Sequence, residues 1–129
     1  MPIAAKFAFP GSKGELKLNS TDPRKNCSVK FNYLAKEEDL EECVKMVQLL
    51  RRVAGSESVA MFLGVHRQNN LVSNSDERRR ICKENVRTYY HYHGGCAVGS
   101  VVDDEYGVYG VKGLRVIDGS TFTPCLDRK

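Results

Sequence analysis

The first third of the chain alternates apolar and polar residues. Apolar side chains occupy every second position in two short stretches: Leu16 and Leu18 in the first, and Val29, Phe31 and Tyr33 in the second. A period of two is typical of half-buried strands. The polar residues 20–26 between them include an Asp-Pro pair, which favours a turn. Residues 14–33 are therefore predicted to form a β-hairpin with a long loop.

A helical pattern follows the hairpin. In residues 36–54 apolar side chains recur every three or four positions on one face, at Leu40, Cys43, Val44, Val47, Leu50 and Ala54. Acidic residues crowd the start of this segment and basic residues its end, which complements the helix dipole, and Gly55 is a natural stop. A second helix is predicted from about residue 76 to residue 86, capped from within residues 73–75.

The last third is rich in glycine and tyrosine. Six of the eleven glycines lie between Gly94 and Gly113. Residues 103–107 predict an acidic turn, and residues 114–117 predict a short apolar strand that ends at Asp118-Gly119-Ser120. Strands at both ends with helices between them predict an α+β chain, with a mostly antiparallel sheet and flanking helices.

Composition excludes several classes of protein. The chain has 129 residues and a net charge of +4, and its only tight basic run is residues 78–80, which fits a solvated helix start better than a nucleic-acid surface. Its apolar stretches are all shorter than the ~20 residues that span a bilayer. We therefore expect neither a nucleic-acid nor a membrane partner. The first ten residues lack the apolar core of a signal peptide, which leaves the compartment open.

The cysteines and asparagines carry weaker signals. Five cysteines occur without any CxxC pair, so a zinc ribbon or a thioredoxin-type motif is unsupported. Cys43 lies on the apolar helix face and is expected to pack as a small hydrophobe. Asn19 and Asn26 each begin an Asn-x-Ser/Thr sequon, which is significant only in a secretory compartment.

Candidate chemistry concentrates in TYYHYHGGCAVG, where His91, His93 and Cys96 lie within six residues. A zinc site would have these three ligands and no obvious fourth. A catalytic base is a second interpretation, because imidazole titrates near neutrality and glycines let the backbone approach a flat cofactor. Histidines that merely satisfy hydrogen bonds in a tight turn are a third. Residue types alone do not separate the last two interpretations.

A second candidate cluster spans residues 114–120. A strand that ends in Asp118-Gly119-Ser120 places a carboxylate, a flexible backbone and a hydroxyl at a sheet edge, where ligands often bind. By itself this segment is better described as an ordinary exit from strand to turn.

Taken together, four stretches resemble the glucose–methanol–choline (GMC) oxidoreductase family, and more closely its plant HOTHEAD-like and mandelonitrile-lyase-like branch. In chain order they are GELKLNSTDPRKNCSVKFNY, EDLEECVKMVQLLRRV, HYHGGCAVGSVVD and GVKGLRVIDGSTF. The resemblance implies the C-terminal, substrate-facing part of an FAD-dependent enzyme that oxidises CH–OH groups of alcohols, or of a hydroxynitrile lyase that cleaves cyanohydrins. A truncated relative that acts only as an interaction module is the remaining alternative.

The resemblance also implies roles for individual residues. An ungapped match to the family's aromatic-His motif places His91 as the catalytic base, and a shift of register makes His93 the alternative. The turn at Asp118 and Gly119 resembles the family's contact with the flavin. No metal is implied.

Two departures from the family pattern stand out. GxGxxG is absent from the 129 residues, so the FAD pyrophosphate has no fingerprint here. The family continues past the STF segment with a second catalytic His or Asn and a final helix, whereas residues 123–129 diverge. We therefore expect residues 1–129 to be an incomplete domain with a divergent tail, and to lack oxidoreductase activity alone.

Overall fold

The computed structural model describes residues 3–7, 9–64 and 74–122. The divergent tail at residues 123–129 lies outside the described residues. His66 also lies outside them; the sequence favours a surface or structural role for this histidine. The chain divides into two compact units, residues 1–87 and residues 88–129. We call the first the helical unit and the second the turn unit.

The helical unit begins with the predicted hairpin. β1 (Glu15–Lys17) pairs antiparallel with β2 (Ser28–Lys30), and Leu16 lies opposite Val29. Each strand has three residues and is shorter than the alternation suggested. Leu16 and Val29 share a face of the hairpin, but they remain 65% and 49% exposed. The hairpin is confirmed, while the face expected to be half-buried is open to solvent in this chain.

Helix α1 (Glu37–Ala54) matches its predicted bounds within one residue. Its N-terminal half buries Leu40, Cys43 and Val44, and the backbone N–H of Gly55 ends it by donating to the carbonyl of Arg51 at 2.8 Å. The apolar stripe thus predicted both the helix and its buried face.

Helix α3 (Ser75–Asn85) is also confirmed together with its cap. Asn74 Oδ1 accepts from the backbone N–H of Glu77 at 2.8 Å, so one orphan donor of the first turn is satisfied. The helix packs on α1, and Cys82, at 2% exposure, completes the cluster formed by Leu40, Cys43 and Val44.

Cys43 and Cys82 form a disulfide between α1 and α3. Their Cα atoms lie 6.0 Å apart, and the two cysteines are 39 positions apart in sequence. Cys43 does lie in the core, but the expectation that it packs as a free small hydrophobe is wrong. Spacing alone does not reveal the pairing, because only the packing of α1 on α3 brings the two sulfur atoms together. On the same helix pair, Arg79 bridges Glu37 and Glu41.

A short helix, α2 (Glu57–Leu63), occupies a region in which sequence predicted no element. Its signals are local: Ser56 Oγ accepts from the N–H of Val59 at 3.4 Å, and Gly64 ends the helix with φ of 63°. Seven residues are too few for a persistent apolar stripe, so periodicity did not detect this helix.

Asp39 ties the N-terminal segment to α1. Its Oδ1 accepts from the N–H of Gly11 at 2.8 Å, and its Oδ2 accepts from the N–H and hydroxyl of Ser12. Burial acts to raise the pKa of this carboxyl, yet the hydrogen bonds from Ser12 and Gly11 outweigh burial and lower the pKa below its usual value. Asp39 is therefore a buried carboxylate with satisfied acceptors.

The turn unit is a succession of bridged turns. Val102, fully buried, makes isolated bridges with Val98 and Val108. The predicted acidic turn is confirmed, since Asp103 accepts from the N–H groups of Glu105 and Gly107 at 2.9 and 2.7 Å.

The apolar strand predicted at residues 114–117 does not form. Arg115 makes one isolated bridge with Gly107, while Leu114 and Ile117 are 52% and 81% exposed. Gly113, with φ of 76°, turns the chain immediately before this segment.

The described residues thus combine three α-helices with a two-stranded antiparallel sheet. This is an α+β fold, as the sequence predicted. Among these residues, no helix has both the length and the apolar character needed to cross a bilayer.

Candidate active site

The segment that carries the two histidines is a loop bounded by left-handed residues. Tyr90 has φ of 60° and Gly94 has φ of 81°, on either side of His91-Tyr92-His93. Glycine adopts this conformation freely, whereas for tyrosine it is uncommon and carries strain. The N–H of Tyr90 donates to Thr88 Oγ1 at 2.9 Å and helps to hold that strained residue. The local sequence therefore forms a tight loop, hereafter the histidine loop (residues 90–96).

Both imidazoles of the histidine loop are exposed. His93 Nδ1 lies 3.3 Å from the carbonyl oxygen of His91. In the tautomer in which Nδ1 donates to that oxygen, Nε2 of His93 is left as a proton acceptor. The loop can therefore orient one imidazole through a main-chain contact of its own.

Two tyrosines flank His91 in the sequence and meet in space. The rings of Tyr90 and Tyr92 pack edge to face with centroids 6.5 Å apart and an interplanar angle of 82°. Both side chains are largely exposed. This arrangement is favourable for aromatic rings, and it places apolar surface beside the imidazoles.

The histidine loop lies directly against the Asp118 bend (residues 118–121). The N–H of Cys96 donates to the carbonyl of Ser120 at 2.8 Å. A Cβ placed on Gly119 would approach the carbonyl oxygen of Tyr92 to 3.0 Å. The structure thus brings together the two segments that contain the predicted site residues. Gly119 is the position at which a side chain would push them apart.

The Asp118 bend is a single 3-10 turn, Gly119–Thr121, capped by its own aspartate. Asp118 Oδ1 accepts from the N–H of Ser120 at 2.8 Å, and its carbonyl accepts from the Thr121 hydroxyl at 2.8 Å. Side-chain and backbone hydrogen bonds with Ser120 lower the pKa of the Asp118 carboxyl below its usual value. The bend therefore carries a fixed negative charge at neutral pH.

The chemistry of the described residues can be compared with each candidate ligand. Within residues 3–7, 9–64 and 74–122, no group of three His, Cys, Asp or Glu side chains is placed to hold a metal ion. The same segments are chemically compatible with a flavin, since they carry exposed imidazole nitrogens and the side-chain-free backbone of Gly119.

Sequence reasoning named His91, His93, Asp118 and Gly119 but not the contacts that join them. The strained Tyr90 and the Tyr92 carbonyl are further determinants of the loop. Gly119 was the available signal, because a glycine at a bend often marks a close backbone approach.

Comparison with known proteins gives a consistent picture. Residues 10–128 match the family model described as GMC oxidoreductase. Protein HOTHEAD of Arabidopsis thaliana is 38% identical, and the match covers 93% of this chain and 23% of HOTHEAD. (R)-Mandelonitrile lyase 3 of Prunus serotina is 37% identical, with 93% and 23% covered. A sinalpyl alcohol oxidase of Nesocodon mauritianus is 34% identical, with 92% and 24% covered.

A solved structure shares the fold. A formate oxidase variant of Aspergillus oryzae, studied for its FAD modification, superposes with a TM-score of 0.72 and 22% identity, covering 95% of this chain and 21% of that one. The chain spans about a quarter of the length of the curated relatives it matches. The family model matches nearly the whole sequence, and the plant relatives align over most of the chain. The chain therefore belongs to the GMC oxidoreductase family and corresponds to the C-terminal portion of its members.

Proposed function

We propose that this chain supplies the proton-accepting histidine loop of an FAD-dependent oxidoreductase that acts on the CH–OH group of a small alcohol. The observation that carries the proposal is the contact of the histidine loop with the Asp118 bend, through Cys96 N to Ser120 O at 2.8 Å and Tyr92 O against Gly119. This contact supports the assignment of both predicted segments to one site within the turn unit.

Each residue of the proposed site would have a separate role in the reaction. One imidazole accepts the hydroxyl proton of the substrate, since an unprotonated ring nitrogen is a suitable base near neutral pH. The motif comparison favours His91, whereas the contact of His93 Nδ1 with the His91 carbonyl favours His93, because it leaves Nε2 as the acceptor. Tyr90 and Tyr92 offer apolar surface to the substrate. Gly119 lets the bend approach the carbonyl of Tyr92 with no side chain between them.

The flavin, when bound, supplies the acceptor for the hydride that leaves the substrate carbon. We propose that Asp118 and Gly119 face this ring, and that the residues that hold the FAD pyrophosphate lie outside the present 129 residues. A lyase reaction uses the same base differently: the histidine deprotonates a cyanohydrin hydroxyl and cyanide departs. The similarity to relatives named mandelonitrile lyase supports this reaction as the second candidate function.

A chimera tests the proposal directly. The matching C-terminal segment of P. serotina (R)-mandelonitrile lyase 3 is replaced by this chain, and the protein is purified with its flavin. Alcohols are added without oxygen to follow flavin bleaching, and mandelonitrile is added to follow cyanide release. We expect His91→Asn or His93→Asn to lower one of these rates about 100-fold or more, as loss of a general base does. Lys112→Gln, an exposed turn residue, is the control.

The outcome of the chimera also separates the alternatives. A bound flavin with neither reaction, or reactions that survive both histidine substitutions, would contradict the proposed role and leave an interaction module. The chain by itself, mixed with FAD, is expected to show no flavin that bleaches with alcohol.

The contact at Gly119 provides a geometric test in the same chimera. Gly119→Ala places a methyl 3.0 Å from the Tyr92 carbonyl, so the histidine loop must shift by a few tenths of an ångström. Gly95→Ala is a matched control, because its Cβ would meet only Ser120 Cβ at an ordinary 4.0 Å. We expect the first change to slow the reaction about 10-fold or more, since small misplacements of reacting groups are expensive, and the second to change it little. Equal effects would show that this contact does not position the loop.

A further inference from the structure

Tyr90 has a backbone conformation that tyrosine keeps only under restraint. Its φ of 60° lies in the left-handed region, where the Cβ of an L-residue crowds the following carbonyl oxygen. Such a residue persists only where neighbouring contacts hold it, and residues of this kind cluster at active sites. The next residue along the chain is His91, one of the two candidate bases.

The hydroxyl of Thr88 supplies a contact of this kind. The N–H of Tyr90 donates to Thr88 Oγ1 at 2.9 Å, a normal hydrogen-bond distance. Thr88 is half-buried, whereas Tyr90 and His91 are exposed, so the restraint is anchored just before the histidine loop. Threonine is branched at Cβ, which limits rotation about χ1 and keeps the oxygen in place.

The direction of the His91 side chain depends on the backbone of Tyr90. The two soft dihedrals of Tyr90 turn the rigid peptide that leads to His91, and the imidazole moves with that peptide. A change of Tyr90 to an extended or right-handed conformation would therefore re-aim His91. His93 lies farther from this pivot and has its own contact with the carbonyl of His91, so the restraint acts mainly on His91.

We propose that Thr88 is a positioning residue for His91. Its hydroxyl oxygen keeps Tyr90 left-handed and so fixes the direction from which the His91 imidazole meets the substrate hydroxyl. This inference rests on the proposed function and adds that His91, and not His93, is the base. Proton transfer requires the two atoms to lie within hydrogen-bond reach, so a small rotation of the imidazole is enough to slow it.

The test compares two substitutions in the flavin-containing chimera with P. serotina (R)-mandelonitrile lyase 3. Thr88→Val keeps the shape of the side chain but removes the acceptor, whereas Thr88→Ser keeps the acceptor. We expect Thr88→Val to lower kcat about 10-fold or more with little change in KM, and Thr88→Ser to retain most of the rate. Equal rates for the two variants would overturn the proposal.

A double variant separates positioning from a general loss of stability. Asparagine tolerates the left-handed conformation, so the restraint matters less in the Tyr90→Asn background. There we expect Thr88→Val to slow the reaction only about twofold or less, because the two positions are coupled. The same fold-loss with tyrosine and with asparagine at this position would mean that Thr88 does not act through Tyr90, which contradicts the proposal.

Crystal structures of the unsubstituted and Thr88→Val chimeras give a readout that is independent of turnover. The first should show Tyr90 with a positive φ, and the second a changed φ or a displaced His91 imidazole; an unchanged loop would refute the role of Thr88. His91→Asn and His93→Asn distinguish the two levels of failure. If neither slows the reaction, the proposed function itself fails, whereas if only His93→Asn does, that function stands and the role of Thr88 is overturned.

Discussion

In the helical unit, α1 and α3 bury a shared apolar face and a disulfide joins them, whereas the turn unit orders its chain with little core. Its buried side chains, within the described residues, are Val102 and Thr121. Backbone hydrogen bonds, isolated bridges and the Asp103 turn hold the rest. Every residue proposed for the active site belongs to the turn unit. Chemistry is thus assigned to the region with irregular backbone and exposed imidazoles, as is common for sites built on loops.

The contrast between the units has a physical basis. A helix satisfies its own backbone groups and needs only a stripe of apolar residues to pack. A loop that presents imidazoles to a substrate has to satisfy its backbone groups by specific contacts, such as Cys96 N–H to the Ser120 carbonyl. The turn unit should therefore be sensitive to the loss of single contacts, while the helical unit should depend on its core and crosslink.

The largest expected effect is loss of the crosslink. Cys43→Ser together with Cys82→Ser should lower the free energy of unfolding of the helical unit by about 2–5 kcal/mol, because the disulfide restricts the unfolded chain. Helical circular dichroism during urea unfolding measures it. Cys27→Ser, which removes a free and half-buried thiol, is the control and should change little. Equal unfolding midpoints for the double variant and the control would contradict this account of the helical unit.

The next effect concerns the core of the turn unit. Val102→Ala removes two buried methyl groups and should cost about 2 kcal/mol, through lost burial and a cavity. Its neighbour Val101 is 37% exposed, so Val101→Ala should cost about 0.5 kcal/mol or less. Amide hydrogen exchange of the turn unit, followed by mass spectrometry, reports both. If the two variants exchange alike, Val102 is not the residue that orders this unit.

The smallest expected effect on stability comes from removing the charge of Asp39 in the helical unit. Asp39→Asn should destabilise by about 1–2 kcal/mol at neutral pH, since charge-assisted hydrogen bonds from Gly11 and Ser12 are weakened. The folded pKa of Asp39 is lowered, so its stabilisation is fully present above the unfolded pKa of about 3.9 and is lost as pH falls through the folded value. Urea midpoints measured between neutral and acid pH should therefore converge for the wild type and Asp39→Asn.

Asp76→Asn is the matched control for that experiment. Asp76 also lies in the first turn of a helix, α3, but its side chain is exposed. Its substitution should leave the pH dependence of stability nearly unchanged. A similar loss of acid-sensitive stability in both variants would mean that the helix dipole, and not the contacts with Gly11 and Ser12, accounts for the effect.

The predictions of secondary structure were correct where the pattern of apolar residues was long and incorrect where it was short. Helix α1 has eighteen residues and was found with its buried face, while α2 has seven and was missed. The strand expected at residues 114–117 was wrong, because this segment of three apolar residues and Arg115 follows a turning glycine and forms one isolated bridge instead of a ladder. Short apolar runs specify burial only if a partner strand is within reach.

The sequence alone determined the α+β fold class, both long helices with a cap, the presence of the hairpin and the segment in which the histidines lie. Each of these follows from local periodicity, turn chemistry or a motif that neighbouring residues carry themselves. Tertiary structure alone decided that Cys43 pairs with Cys82, and that Gly119 meets the carbonyl of Tyr92. Such contacts join residues 27 or more positions apart, and their distances depend on the path of the whole intervening chain.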